Sequence, residues 1–109
     1  MSHVTTHVLD TALGLPAVGV TVVLEHDLAD PPAVATGQTD QDGRVVDLGP
    51  DTLEPGTYRL RFNTGAYFAE IGVPTFFPEV SITFDVTGGE HYHVPVLLSP
   101  YAFSTYRGS

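Results

Sequence analysis

Turn-forming residues interrupt this chain at short intervals, and they constrain its fold more than any other feature. Nine prolines and eleven glycines stand between short apolar segments, which leaves little room for long helices. Short strands separated by frequent turns are typical of all-β proteins. Within residues 57–62, the side chains of Tyr58, Leu60 and Phe62 share one face while arginines occupy the other, which is the period of a half-buried strand.

We predict an all-β fold, an antiparallel two-sheet β-sandwich of about seven or eight strands with one short helix. The predicted strands are residues 4–9, 20–25, 34–39, 44–48, 57–62, 79–86, 90–98 and 101–106. The predicted helix covers residues 65–72, where Tyr67, Phe68 and Ile71 fall at helical spacing. Asp42-Gly43 predicts a hairpin turn, because both residue types accept positive φ angles. We expect residues 1–109 to form a single domain.

Charge and composition exclude several classes of partner. The formal net charge of −9 argues against nucleic acid and against anionic membrane surfaces, which both require a basic face. The absence of cysteine excludes disulfides and thiolate metal sites. No apolar run approaches about 18 residues, so no membrane span is expected. The first residues lack the basic and apolar segments of a secretory signal, so we expect a cytoplasmic protein.

The cationic side chains are all arginines, namely Arg44, Arg59, Arg61 and Arg107. Arginine recognises planar carbonyl or carboxylate groups through a two-pronged fork, but it also forms ordinary surface ion pairs. We interpret Arg59 and Arg61 as a solvated or ion-paired strand face. From the residues alone, Arg44 is a turn residue paired with Asp40 or Asp42, a pair of little energetic value.

The end of the chain carries recognition groups. It reads Tyr106-Arg107-Gly108-Ser109, whereas a terminus that frays into water is more often small and polar. His91 and His93 lie two residues apart on a predicted strand and therefore share one face. Pro95 shares that face and cannot donate a ladder hydrogen bond, so we expect an edge strand or an irregular one. If the first strand pairs with this strand, His7 converges with His93.

Other interpretations of the same residues remain open. A His-x-His pair alone is more often a solvated strand face than a site. With a third histidine it could be a catalytic zinc site, although Arg44 nearby would disfavour a dication. Asp40-Gln41-Asp42-Gly43 hints at calcium but lacks the third acidic position, which favours a plain turn. His3 and His26 are expected to be exposed and inert. Core and loop packing is expected of Tyr67, Phe68, Phe76 and Phe77.

Several motifs in one order resemble the transthyretin superfamily. They are Thr5-Thr6-His7-Val8-Leu9-Asp10, Gly14-Leu15-Pro16-Ala17, Asp42-Gly43-Arg44, Phe76-Phe77-Pro78-Glu79 and His91-Tyr92-His93-Val94-Pro95. The terminal Tyr106-Arg107-Gly108-Ser109 is similar to the ending of the 5-hydroxyisourate hydrolases, and the hormone-carrying transthyretins lack it. The resemblance covers essentially the whole chain and implies a transthyretin-like (prealbumin-like) sandwich.

The resemblance also implies an activity, the hydrolysis of 5-hydroxyisourate to 2-oxo-4-hydroxy-4-carboxy-5-ureidoimidazoline in urate catabolism, with no metal or other cofactor. It implies catalytic roles for His7, Arg44, His93 and Ser109, and substrate-binding roles for Tyr106, Arg107, Gly108 and His91. In this chemistry a neutral imidazole, from His7 or His93, accepts a proton from the attacking water. Arg44 stabilises the negative charge on the carbonyl oxygen.

The assembly implied by the resemblance is a homotetramer, a dimer of dimers, whose central channel holds the sites. The alternative function is a transthyretin-like carrier that binds a hydrophobic aromatic ligand without catalysis. A carrier channel would be more apolar and would do without paired histidines.

Overall fold

The structure is a computed structural model, and it describes residues 2–109. Its elements in chain order are β1 (Val4–Asp10), β2 (Leu15–Pro16), β3 (Thr21–His26), β4 (Ala33–Gln38), β5 (Arg44–Val45), β6 (Gly56–Phe62), α1 (Thr64–Glu70), β7 (Val80–Val86), β8 (Tyr92–Ser99) and β9 (Ala102–Thr105). Within the described residues, no helix is long and apolar enough to cross a membrane.

The strands form two sheets, which confirms the predicted sandwich with one short helix. One sheet has the order β2-β1-β8-β9, with β5 also paired to β1, and the other has the order β4-β3-β6-β7. The additional strand relative to our prediction is β2, whose residues Leu15 and Pro16 pair with the end of β1. The strand predicted over residues 44–48 is shorter than expected, because β5 ends at Val45.

The pairing of β1 with β8 is parallel, so the antiparallel arrangement that we predicted is wrong for this pair. Thr5 lies opposite His93 and His7 lies opposite Pro95 in the register of the two strands. A parallel pair needs a long connection, and here the second sheet and the helix lie between the two strands in the sequence. The pairing itself confirms the expected neighbourhood of the first strand and the histidine-containing strand.

The turn at Asp40-Gln41-Asp42-Gly43 does not close a hairpin, contrary to our prediction. β4 pairs with β3 in one sheet, whereas β5 pairs with β1 in the other. The Asp40 carboxylate accepts hydrogen bonds from the backbone N–H groups of Asp42 at 2.9 Å and Arg44 at 3.0 Å. Gly43 has a φ of 76°, a conformation that side chains rarely tolerate. The turn therefore carries the chain between sheets and delivers Arg44 beside β1.

The core lies between the two sheets and is built from alternate side chains of each strand. On β8, Val94, Val96 and Leu98 are buried on the inner face, as Val4 and Val8 are on β1. Burying an aliphatic side chain of this size stabilises a fold by about 1.5–3 kcal/mol relative to exposure. Because the inner positions are apolar, the residues between them face outward from the sheet. That outward face carries the histidines.

The helix is held at its start and along one side. The Asn63 side chain accepts a hydrogen bond from the Ala66 N–H at 3.1 Å, which satisfies one of the unpaired amides of the first turn. Tyr67 and Phe68 are buried, which confirms their packing role. The expectation for the following loop is wrong in part, because the Phe76 side chain is 72% exposed. Its neighbour Phe77 packs against the core, as expected.

His3 is buried, although we expected it to be exposed. Its side chain is only 4% exposed. Nε2 donates a 2.8 Å hydrogen bond to the carbonyl oxygen of Glu90, and Nδ1 accepts one of 2.8 Å from the Leu53 N–H. His3 therefore joins the start of β1 to two loops. His26 is half-buried, with its ring centroid 4.7 Å from that of Tyr58, so it is not an exposed residue either.

The interpretation of Arg59 and Arg61 as an ion-paired strand face is confirmed. Both guanidinium groups contact the buried Glu25 carboxylate at 3.1 Å. Arg59 also lies 3.3 Å from Asp27, and Arg61 lies 3.2 Å from Glu79.

Candidate functional site

Strand pairing brings three predicted site residues from distant parts of the sequence to one sheet. At Thr6 and His7, β1 lies between β8 and β5. His7 on β1 is opposite Arg44 of β5 on one side and opposite Pro95 of β8 on the other. His93 lies two residues before Pro95, opposite Thr5. The expected convergence of His7, Arg44 and His93 is thus a property of the sheet.

A pocket of about 190 Å³ opens on this region. Its lining residues are Thr5, Thr6, Arg44, Val46, His91, His93 and Ser109. Four of the eight predicted site residues are among them. His7 is not part of the lining, but it is near enough for its charge to influence the pKa of His93.

The surroundings of His93 favour its neutral form. Nδ1 of its ring lies 2.8 Å from the hydroxyl oxygen of Thr5, a buried side chain. Partial burial lowers the pKa of His93 first, and the positive charge of Arg44 and electrostatic interactions with His7 and His91 lower it further. Among residues 2–109, Nε2 of His93 has no hydrogen-bond partner. This nitrogen is therefore available to a ligand.

His7 is oriented by the turn that precedes β5. Its Nε2 lies 2.8 Å from the backbone carbonyl oxygen of Asp42. Because a carbonyl oxygen only accepts, Nε2 is the donor and carries the hydrogen. In the neutral ring, Nδ1 then holds the free lone pair. One turn thus positions both His7 and Arg44.

Arg44 is the one arginine in the described part of the chain that has no carboxylate within 4.0 Å, since Arg59, Arg61 and Arg107 each have one. The ordinary side-chain pair with Asp40 or Asp42 is not formed. Asp40 uses its carboxylate on backbone amides of the turn, and the hydrogen bond from the Arg44 N–H is the main reason that the pKa of Asp40 is lowered. The Arg44 guanidinium is therefore free to meet an anionic group in the pocket.

The C-terminal segment reaches the pocket by pairing with β8. The Gly108 N–H donates a 2.8 Å hydrogen bond to the carbonyl oxygen of His93, in an isolated antiparallel bridge. This bridge places Ser109 in the pocket lining. The regular ladder between β8 and β9 ends at Val96 opposite Thr105. β8 is not an edge strand, because it pairs with β1 and β9, and its register with β1 is unbroken through Pro95. The expected effect of Pro95 is limited to the gap between the β8–β9 ladder and the His93–Gly108 bridge.

Arg107 is held on the other side of His93. Its guanidinium carbon lies 4.7 Å from the ring centroid of Tyr92, a cation–π contact, and its Nη2 lies 3.6 Å from Oε1 of Glu90. The pKa of Glu90 is lowered by hydrogen bonds from its own backbone N–H and from the Tyr92 hydroxyl, and by Arg107. Arg107 and Tyr106 line a separate cavity of about 330 Å³, and His93 lines both cavities.

Sequence reasoning missed Thr5 as a member of the site. Its hydroxyl oxygen lies 2.9 Å from Nε2 of His91 as well as 2.8 Å from Nδ1 of His93. The available signal was its position two residues before His7, on the same face of the strand. Within residues 2–109, no group of three or more His, Cys, Asp or Glu side chains is arranged to hold a metal ion.

Comparisons with known proteins identify the family of this chain. The sequence profile of the HIUase/Transthyretin family matches residues 4–108. The 5-hydroxyisourate hydrolase of Salmonella typhimurium is 50% identical, over 94% of this chain and 78% of that protein. The structure of Klebsiella pneumoniae 5-hydroxyisourate hydrolase superposes with a TM-score of 0.89 at 39% identity, covering 97% of this chain and 98% of the other. Sea bream transthyretin in complex with thyroxine superposes with a TM-score of 0.89 at 31% identity, covering 96% and 93%. This chain belongs to the HIUase/transthyretin family.

Proposed function

We propose that this protein hydrolyses 5-hydroxyisourate to 2-oxo-4-hydroxy-4-carboxy-5-ureidoimidazoline in urate catabolism. The observation that carries the proposal is the meeting of an unpaired Arg44, a His93 of lowered pKa and the terminal Ser109 in one pocket. The identity to proteins named 5-hydroxyisourate hydrolase, at 41–50% over most of the chain, supports the same substrate.

His93 acts as the general base in this proposal. A base that is neutral at the working pH can accept a proton, and burial and neighbouring positive charge keep His93 neutral. Nε2 of His93 takes a proton from water as the water oxygen bonds to the ring carbonyl carbon. When the C–N bond breaks, the same proton passes to the departing nitrogen. Water attacks directly, and no covalent intermediate with the protein forms.

Arg44 stabilises the charge that grows on the carbonyl oxygen. In a site shielded from bulk water, loss of one such donor typically costs about 2.7–4 kcal/mol of barrier. His7 is held by Asp42 and orients the substrate or the water with its remaining nitrogen. Ser109, which lines the pocket, positions water or substrate through its hydroxyl.

The remaining groups bind the substrate. We assign this role to His91, Tyr106, Arg107 and Gly108. The fork of Arg107 suits the ring carbonyl oxygens of a flat heterocycle. The protein works as a homotetramer, a dimer of dimers, in the cytoplasm. The position of the pocket on an outward sheet face supports this assembly, since a second copy over that face would enclose the site.

The direct test is the decay of freshly generated 5-hydroxyisourate, followed by its ultraviolet absorbance. Micromolar protein should accelerate the decay well beyond the spontaneous rate. His93→Ala and Arg44→Ala should each lower kcat by about 10²–10³-fold, and deletion of residues 107–109 should do the same with the fold intact. Arg61→Ala, on the outer face of the other sheet, is the matched control and should keep wild-type activity. A wild-type protein that does not accelerate the decay rejects the proposal.

The second candidate is a carrier of a hydrophobic aromatic ligand. It is favoured by the cavity of about 330 Å³, whose lining includes Ile82, Phe84 and Val94, and by the likeness to a thyroxine-bound transthyretin. Calorimetric titration with thyroxine tests it. Tight binding by a protein without hydrolytic activity would support the carrier and oppose the hydrolase.

A further inference from the structure

One hydroxyl group joins two imidazoles in this structure. The Thr5 Oγ1 atom lies 2.9 Å from Nε2 of His91 and 2.8 Å from Nδ1 of His93, and both distances are those of hydrogen bonds. Thr5 is only 8% exposed, and β1 pairs with strands on both sides, so the hydroxyl has little freedom to turn to water.

A hydroxyl carries one hydrogen and therefore donates only once. Two arrangements satisfy both contacts with the hydrogen of Thr5 in use when the rings are neutral. In the first, His93 donates from Nδ1 to Thr5, and Thr5 donates to Nε2 of His91. In the second, every donor is reversed, so His91 donates to Thr5 and Thr5 donates to His93. In a third, both rings donate to Thr5, and the hydrogen of Thr5 is then left without an acceptor among residues 2–109. The first leaves Nε2 of His93 with a free lone pair, and the second leaves it with a hydrogen.

We propose that Thr5 is a positioning residue which holds His93 in the first arrangement, while His91 holds the Thr5 hydroxyl in place by accepting its hydrogen. This inference rests on the proposed function, in which His93 is the base. It also gives His91 a second role beside substrate binding, because His91 orients the Thr5 hydroxyl. Thr5 takes the part of the third group that orients the base in a catalytic triad.

The first arrangement fits the surroundings of both rings. Nε2 of His93 has no partner among residues 2–109 and its ring lines the pocket, which is where a base must offer its lone pair. His91 is exposed, so solvent can satisfy either of its tautomers at little cost. When His93 takes a proton from water on Nε2, its Nδ1–H bond to Thr5 becomes charge-assisted and strengthens. The hydrogen of Thr5 stays on Thr5 throughout, and His93 returns its proton to the leaving nitrogen.

Other charged or titratable groups around His93 also influence its protonation. They are His7 on β1, Arg44 on β5, His91 before β8, Asp85 on β7 and Arg107 after β9. Removing the Thr5 hydroxyl alone leaves all of these residues in place, and His91 is the one among them that loses a hydrogen bond. A Thr5 variant therefore isolates the effect of the hydroxyl from these charges.

The kinetic test compares Thr5→Val, which keeps the shape of the side chain, with Thr5→Ser, which keeps the hydroxyl. Thr5→Val should lower kcat by about 10- to 100-fold with little change in KM, because the base loses its orientation. In a plot of kcat against pH, the acid limb of Thr5→Val should move to lower pH, because the lost hydrogen bond favoured the protonated ring of His93. Thr5→Ser should stay close to wild type in both respects. Thr11→Val is the matched control, because the Thr11 hydroxyl donates to the Leu98 carbonyl oxygen, outside the pocket lining.

A second readout does not depend on activity. Nitrogen-15 chemical shifts of the histidine rings report which nitrogen carries the hydrogen. In wild type, neutral His93 should carry it on Nδ1, and in Thr5→Val and in His91→Ala the two tautomers should mix. His91→Ala changes an exposed residue, so it keeps the test available if Thr5→Val does not fold.

Two results would overturn the inference. One is a wild-type His93 with its hydrogen on Nε2. The other is a Thr5→Val protein with wild-type kcat and an unshifted acid limb, or with a lower kcat that Thr5→Ser does not restore. A wild-type protein inactive on 5-hydroxyisourate would reject the proposed function instead, and the ring spectra would still decide the tautomer.

Discussion

The backbone N–H of Gly108 donates a 2.8 Å hydrogen bond to the carbonyl oxygen of His93, so the C-terminal segment lies directly against the imidazole. A Cβ atom at position 108 would come within 2.6 Å of Cδ2 of that ring and 3.2 Å of Cγ. The glycine in the terminal tetrapeptide is thus required by close approach to His93.

Gly108→Ala should therefore act on the site through His93. The added methyl group must push the imidazole or the terminus aside, and a displacement of about 1 Å in a site can cost about 10²-fold in rate. We expect a lower kcat with a small change in thermal midpoint, measured by the hydroxyisourate decay and by calorimetry. Gly89→Ala is the control, because a Cβ at residue 89 meets no atom within 4 Å. Equal activities of the two variants would contradict the steric argument.

The lower pH limit of activity should be set by the pKa of His93, which both the partial burial of His93 and the charge of Arg44 lower. Partial burial is the largest cause of the lowered pKa of His93, and the Arg44 charge is the next. Activity should fall as pH falls through the pKa of His93, because the base becomes protonated. Arg44→Gln should lower the maximal rate and move this acid limb to higher pH, since the imidazolium is then less disfavoured.

Arg61→Gln is the control for this pH experiment, because Arg61 is paired with Glu25 and Glu79 on the other sheet. Its acid limb should match that of wild type. An acid limb that moves to lower pH in Arg44→Gln would show that another group limits the rate.

His93 also links folding to pH. Its pKa is lower in the folded protein than the ordinary value of about 6.5, so the unfolded chain binds more protons as pH falls. This contribution to stability is complete above about pH 6.5 and decreases below it. Urea unfolding of wild type and His93→Gln between about pH 7 and pH 5 measures it, and the variant should lose less stability over that interval. Equal losses of stability in wild type and His93→Gln would contradict a lowered pKa of His93 in the folded protein.

His3 should be important for stability although it lies outside the site. His3→Ala leaves the buried Leu53 N–H without a partner, at a cost of about 1–3 kcal/mol, and also removes the hydrogen bond to the carbonyl oxygen of the exposed Glu90. The free energy of unfolding in urea should fall accordingly. His26→Ala, which loses mainly a ring contact with Tyr58, should cost about 0.5–1.5 kcal/mol. A smaller loss for His3 than for His26 would contradict this assignment.

Tyr67 links the helix to the end of β1. Its hydroxyl donates a 2.7 Å hydrogen bond to Oδ2 of the buried Asp10, and burial raises the pKa of Tyr67, so the donor keeps its hydrogen. Tyr67→Phe should lower the free energy of unfolding by about 1.5–3 kcal/mol, the usual value of a hydrogen bond to a charged group. Thermal and urea unfolding measure the loss, and Tyr101→Phe, at an exposed position, is the control. An unchanged free energy of unfolding in Tyr67→Phe would show that the backbone N–H groups of Ala12 and Leu13 are sufficient hydrogen-bond donors to Asp10.

The sequence determined the local structure and most of the residue types of the site. Alternation of apolar and polar residues defined β6, and helical spacing defined α1 to within two residues. The motifs around His7, Arg44 and His93 were interpretable as a site because their order along the chain resembles that of a known family. These are short-range properties, set by backbone conformation and by which face of an element is apolar.

The tertiary structure decided what depends on pairing between distant segments. Parallel pairing of β1 with β8 brings Thr5 to His93, and no local pattern encodes the direction of a pair separated by most of the chain. The same is true of His3, whose burial depends on two loops that meet over β1. The turn after β4 reads as a hairpin locally, but burial of Val45 against the opposite sheet carries the chain across and sets Arg44 in the pocket.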